Sequence, residues 1–221
     1  NYDARFEEAL DHMGRADEAV AQIRDAYLEL FADESMGVTL MLASRHDAAQ
    51  PYLERSLATA REVGSKRYQA VVLLHLAECA YASGDRAQAR ALNEAAEPLV
   101  RETGFGFVGP ALYANLAQVC DDPVARDRLL RDGEAGLAGS LAHSLCWFYR
   151  TAIELQLERG EDAELNGLSE RFLAFRPEGE APRFHSLLVA RAAAIQAYRR
   201  NPDRAAAERM ATVRGEMERT G

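Results

Sequence analysis

The feature that most limits what this chain can fold into is a helix–turn–helix pattern that recurs about every forty residues. It is clearest over residues 67–103. There Leu73, Leu76, Ala77, Ala80 and Tyr81 recur at helical spacing, and Ser83-Gly84-Asp85 then interrupts. A second helical period follows through Ala89, Leu92, Ala96 and Leu99. Gly84 suits the left-handed residue just past a helix end, and Asp85 suits the cap of the next helix. Ala77 and Ala89 stand twelve apart, one per helix, where two antiparallel helices can cross closely. Similar breaks fall near 14, 45, 84, 122, 160 and 201, so successive spacings are 31, 39, 38, 38 and 41. A repeat of that length signals a solenoid, because each hairpin buries its apolar face only against its neighbours. The expected fold is all-α, with twelve helices forming about six antiparallel hairpins.

Taken in order, the pattern predicts helices at 4–13 and 16–30, separated by Gly14, then a third helix capped by Asp33 and ending near Ser44. The helix at 48–63 carries Pro51 in its first turn, where a missing N–H costs least. Pro98 lies deep in the second helix of the clearest hairpin and predicts a kink or an early end there. Gly104-Phe-Gly-Phe-Val-Gly-Pro110 reads as a Gly-rich bend or hinge between hairpins. Helices at 111–120, 124–138, 142–159 and 162–175 follow, the last closed by residues 176–182. Helices 183–200 and 203–219, joined through Asn201-Pro202, complete the chain. The twelve-residue step between small residues recurs at Gly37/Ala49 and Ala194/Ala206. It degrades at Glu7/Ala19 and Ile153/Leu165 and shortens at Ala117/Ala125.

Composition narrows the function. The 221 residues are 48% hydrophobic with 7 prolines, enough for a sizeable core and in keeping with nearly continuous helix. The net charge of −9 argues against a nucleic-acid or acidic-membrane partner. Residues 1–182 hold 31 acids and 18 bases (−13), whereas residues 183–221 hold 4 acids and 8 bases (+4), which together give the −9. Cys79, Cys120 and Cys146 lie in separate helical stretches, which predicts reduced thiols in a cytoplasmic protein. No apolar run approaches membrane-spanning length, so no membrane role is expected. The chain opens at Asn1 without a methionine and is expected to be a single repeat domain, 1–221, within a longer protein.

The search for chemistry points away from an enzyme, a metal site or a cofactor. A phosphate-cradling loop needs Gly before Lys, and the one lysine, Lys66, follows Ser65. Gly104–Gly109 lacks the preceding strand that a dinucleotide loop requires. Asp121, Asp122 and Asp127 suit a solvated turn with capping carboxylates better than a Mg²⁺ site. His12, His46, His75, His143 and His185 form no close ligand pair. His143 and Cys146 stand at i and i+3, but nothing supplies an orienting third group or an oxyanion site, so Cys146 reads as core. The consecutive Trp147, Phe148 and Tyr149 cannot all face one side of a helix, and at least one of them is expected at the surface or in a groove.

The stretch Leu73-x-x-Leu76-Ala77-x-x-Ala80, with Gly84-Asp85, Ala89 and Ala96, resembles the tetratricopeptide repeat. Leu116-Ala117, Ala193-Ala194 and Ala206 follow the pattern more loosely. The period near forty is similar to the longer repeats of bacterial signal-transducing ATPases and MalT-like regulators. Residues 139–182, with Gly139-Ser-Leu-Ala-His-Ser-Leu-Cys-Trp-Phe-Tyr-Arg-Thr-Ala-Ile-Glu154, look like the C-terminal repeat region of bacterial multidomain adenylate/guanylate cyclases. These resemblances imply a right-handed superhelix whose first helices line a concave groove. On this sequence they imply groove positions Glu78, Tyr81, Asn115, Gln118, Trp147, Arg150, Glu154, Arg191 and Tyr198. Arginine beside aromatic rings there suits a peptide carboxylate or an acidic segment. The implied function is a non-catalytic interaction or regulatory module, binding a peptide, a partner protein or upstream domains of the same chain, with a homodimer also possible. A small-ligand sensor of a MalT-like regulator is the alternative, and an all-α enzyme a distant third.

Overall fold

The computed structural model describes residues 6–174 and 183–220, and among them every regular element is a helix. The helices are α1 (Phe6–Ile23), α2 (Ala26–Leu42), α3 (His46–Glu62), α4 (Lys66–Ala82), α5 (Arg86–Thr103) and α6 (Phe105–Val119). They continue as α7 (Pro123–Ala135), α8 (Ala142–Arg159), α9 (Asp162–Ala174), α10 (Arg183–Arg200) and α11 (Arg204–Thr220). The chain divides into two compact units, with the boundary inside α8. One runs from Phe6 to Phe148, and the other holds the described residues from Tyr149 on.

In the first unit each helix from α1 to α6 packs against the next, and α4 also touches α2 and α6. The fold is therefore a row of tetratricopeptide-like hairpins, α2/α3, α4/α5 and α6/α7, with their first helices side by side and α1 ahead of them. The turns explain the regularity. Residues with a left-handed backbone stand at Arg24, Ser44, Gly64, Gly84 and Gly104, one every twenty residues, with φ of 57°, 61°, 69°, 87° and 102°. At Ser44, Gly64 and Gly84 the chain makes the same pair of bonds. The left-handed N–H donates to the carbonyl three residues back, and the next N–H donates to the carbonyl five residues back. Arg45 thus reaches Leu40 at 2.8 Å, Ser65 reaches Ala60 at 2.9 Å and Asp85 reaches Ala80 at 2.9 Å. Gly160 repeats the motif after α8. Each pair satisfies carbonyls that the helix end leaves open.

This turn register corrects the sequence reading near the start. Gly14 does not break a helix; α1 runs through it, and the turn falls at Arg24-Asp25. One glycine costs a helix only about 1 kcal/mol, and Leu10 and Met13 pack on the core from the same helix. Asp25, not Asp33, caps α2, accepting from the N–H groups of Tyr27 and Leu28. Asp33 lies inside α2, buried and bonded to Arg55 of α3. Among the described residues the twelve expected helices become eleven, because the three expected at 4–13, 16–30 and 33–44 form only α1 and α2. The expected closing stretch at 176–182 lies outside the described residues.

The Gly104–Pro110 segment is not a hinge either. Only Gly104 has a left-handed backbone, and α6 starts at Phe105. Glycine serves here for space. A Cβ on Gly109 would stand 2.3 Å from the Phe105 ring, and one on Gly136 would stand 2.2 Å from the same ring. Pro110 has no N–H for the Gly106 carbonyl, and the Leu141 N–H donates to that oxygen instead, at 3.3 Å. Pro98 does not end α5, which continues to Thr103. It sits on the exposed side, where water reaches the carbonyl it leaves open.

The close crossings expected from small residues are present. Ala49, Ala77 and Ala89 are buried, and a Cβ on Gly37 would meet Leu53 at 2.6 Å. In the second unit Ala194 and Ala206 are buried, and Asp203 caps α11 by accepting from the Ala206 N–H at 2.7 Å. Gln196 and Arg200 of α10 both donate to the Asp162 carboxylate at the start of α9, at 2.9 and 2.7 Å.

Candidate functional site

The first helices of the first unit carry a run of aromatic side chains. Tyr27, Leu28 and Phe31 of α2 remain 51%, 40% and 42% exposed although each is large and apolar. The Phe31 ring meets Tyr68 of α4 edge-on, with centroids 4.8 Å apart. Further along, Arg67 of α4 lies 4.7 Å from the centroid of the Phe107 ring, and Phe107 meets His143 edge-on at 5.1 Å. Beneath them is a polar and aromatic floor. His75 of α4 is buried, its Nε2 is 3.5 Å from the Glu34 carboxylate, and its ring lies 4.8 Å from that of Trp147. Burial pushes the His143 imidazole below its usual range, opposed by its bond to the Phe107 backbone and by the Glu34 carboxylate. These residues come from α2, α4, α6 and the start of α8, so no local segment of sequence displays them together.

The groove positions expected from the sequence divide between the two units. In the first, Asn115 is buried and its amide donates to the Leu74 carbonyl at 3.4 Å, so it ties α6 to α4. Tyr81 and Gln118 are brought together through Arg86, whose guanidinium lies 5.6 Å from the Tyr81 ring and donates to the Gln118 carbonyl at 3.0 Å. Glu78 is half-buried on α4. In the second unit Arg191 of α10 is ion-paired with Glu154 of α8, Arg150 is half-buried, and Tyr198 is 40% exposed. The expectation that Trp147, Phe148 or Tyr149 reaches the surface is overturned, for all three are buried. They point to different neighbours: Trp147 to His75, Phe148 to the backbone at Gly133, Tyr149 to Phe172.

The remaining reactive groups have structural work. Asp122 caps α7 by accepting from the Val124 N–H at 2.9 Å. Asp121 takes Arg90 at 2.8 Å, and that hydrogen bond holds its carboxyl below the usual range. Burial pushes the Cys79 thiol up to about 11, so at neutral pH it stays protonated and unreactive. Among the described residues no group of three or more His, Cys, Asp or Glu is placed to hold a metal ion. No helix among them is long and apolar enough to cross a membrane.

A row of helical hairpins with their first helices side by side is the architecture of a repeat module, and the comparison with protein families agrees over part of the chain. Residues 28–102 match the tetratricopeptide repeat. The match begins inside α2 and ends in α5, so it covers the first two hairpins and includes Leu28, Phe31, Glu34, Tyr68 and His75. Searches of curated proteins and of solved structures return no match. Tetratricopeptide repeats are generally protein-binding scaffolds.

Proposed function

We propose that this chain is a non-catalytic protein-interaction module that grips a partner segment along the first helices of its leading hairpins. The observation that carries this reading is the exposed strip Tyr27, Leu28 and Phe31, joined to Tyr68. The exposed parts of these rings cost solubility and gain nothing in the free fold. Full burial of such a side chain is worth about 1.5–3 kcal/mol, so covering the exposed half of one on binding contributes about 1 kcal/mol, and a few such anchors dominate an interface. Glu78, Tyr81 and Gln118 continue the same row toward α6 and bring polar contacts. In the signalling setting that the 139–182 resemblance implies, such a module links a partner to a nucleotide cyclase or ATPase domain carried elsewhere on the parent chain.

The test is affinity capture from cytosolic extract with the whole chain and with Tyr27→Ser/Phe31→Ser, the captured proteins being identified by mass spectrometry. Both positions are exposed, so circular dichroism should show the variant folded as before. A protein held by the first chain and lost by the second supports the reading. Retention of the same proteins by both would remove the strip from the interface.

A further inference from the structure

α1 keeps the phase of a second helix. It begins at Phe6, α3 at His46 and α5 at Arg86, forty residues apart each time, while the first helices α2 and α4 begin at Ala26 and Lys66. The inner faces of these second helices correspond residue for residue. Ala9, Met13, Ala16 and Val20 of α1 stand where α3 has Ala49, Leu53, Ser56 and Ala60. The counterparts in α5 are Ala89, Asn93, Ala96 and Val100. In α3 and α5 all eight are buried, none more than 3% exposed. In α1 the same positions are open: Ala16 is exposed and the other three are half-buried. α2 is open beside them, for Leu28 is 40% exposed whereas its counterparts are the half-buried Tyr68 and Val108 at 4%. The phase also accounts for the weak twelve-residue step at Glu7/Ala19, because both residues lie within α1.

The later hairpins show what covers such a face. On α3 it is α2, the helix directly ahead: a Cβ on Gly37 would meet Leu53 at 2.6 Å, and Ser56 donates to the Leu30 carbonyl at 3.1 Å. On α5 it is α4, whose Ala80 clusters with Ala89. An array that stopped at α1 would close with a polar outer face, and this face is alanine, methionine and valine. A second copy does not supply the cover. Its α2, α4, α6 and α10 each pack on the second helix that follows them, and α8 buries most of its length. Its last helix, α11, is itself a second helix. We propose that α1 closes a hairpin whose first helix lies directly ahead of it in the parent chain and packs over Ala9, Met13, Ala16, Val20 and Leu28. That helix carries glycine or alanine twelve residues before Ala9, as Gly37 precedes Ala49 and Ala77 precedes Ala89. The repeat array therefore continues in register ahead of α1, joined by packing and not by a loose linker. Tyr27 and Phe31 stay clear of this contact, since Phe31 turns to Tyr68 of α4 and the counterpart of Tyr27 inside the array, Arg67, is exposed.

The test builds the contact from the chain's own parts. Residues 25–45, which form α2 with its cap and turn, are copied directly ahead of Phe6 in place of residues 1–5, so the junction keeps the offset between Arg45 and His46. Hydrogen exchange at the α1 amides should slow at least about tenfold relative to the unmodified full chain, and the melting midpoint should rise. Gly37→Glu in the copied segment alone should cancel both gains. Ala16→Glu, at an exposed position, should leave the unmodified chain as stable as before yet cancel the gains in the extended one. No added protection of α1 in the extended chain, or gains that survive both substitutions, would overturn the proposal. Equal protection from residues 25–45 added as a free peptide at micromolar concentration would give the face to a helix of another protein. Protection of α1 that grows with the concentration of the unmodified chain would give it to a second copy, and either result would also overturn the proposal. Tyr27→Ser/Phe31→Ser leaves the α1 face and Leu28 as they are, so failure here and failure of the first-helix strip are read separately.

Discussion

Ser44 occupies a backbone position that costs an L-residue roughly 1–2 kcal/mol relative to glycine, with φ of 61°. Its counterparts twenty and forty residues on are Gly64 and Gly84, which adopt the same conformation freely. Ser44→Gly should therefore raise stability, by about 0.5–1 kcal/mol once the greater freedom of glycine in the unfolded chain is set against the relief. Urea denaturation checks the sign, and a lower midpoint would show that the serine hydroxyl stabilises the turn by more than its backbone costs. His185 raises a different question, that of pH. It is fully buried against Phe172, with ring centroids 4.0 Å apart, and burial pushes its pKa down from 6.5 to about 4. The folded chain keeps this imidazole neutral, while the unfolded chain takes up a proton from about 6.5 downward. Stability should thus fall as pH drops from 6.5 toward 4. Melting curves across that window should be steeper for the native chain than for His185→Leu, whatever the absolute stability of the variant. Parallel slopes would place the acid sensitivity elsewhere.

At the scale of whole elements, glycine does two separate jobs that look alike in the sequence. At Gly84 it bends the backbone, and with Asp85 behind it the α4/α5 hairpin is legible at once. At Gly109 it is a helical residue whose missing side chain makes room for Phe105. Gly109→Ala should consequently destabilise, by about 1–3 kcal/mol of overpacking, despite the better helix propensity of alanine. Gly106→Ala, whose new Cβ would find its nearest neighbour at 3.7 Å, should be neutral or stabilising. Equal effects of the two in thermal melts would return the segment to the role of a hinge. The reverse error occurred at Arg24, where the chain turns left-handed without glycine, and the helix count suffered there; the turn at Ser44, also without glycine, falls where the break near 45 was expected. The candidate site was less legible still. Phe31, Tyr68, Glu34 and His75 meet only because α2 and α4 lie side by side, and spacing within one helix cannot show which faces neighbouring hairpins share. The three rings at Trp147, Phe148 and Tyr149 misled for a related reason. A helix packed on one side must expose one of them, whereas these three each find a separate neighbour.

Over the whole molecule, stability should be graded along the chain. Repeat arrays are held by nearest-neighbour contacts, so an inner helix opens only when its neighbours give way, while an outer one frays alone. α4 is the best held of the described helices. It packs against α3, α5, α2 and α6, and Ala70 through Ala77 are all buried together with Cys79 and Ala80. α11 stands at the other extreme: of its described side chains only Ala206 is buried. Native-state hydrogen exchange should accordingly find the amides of α4 slower than those of α11 by at least about a hundredfold, or roughly 2.7 kcal/mol. A uniform rate across all the helices would mean that the chain opens in one cooperative step, and the energy of every hairpin would have to be counted as shared. Protection confined to α2–α5 would mean that the repeats which match the family carry the stable core and that the later helices depend on a partner for their order.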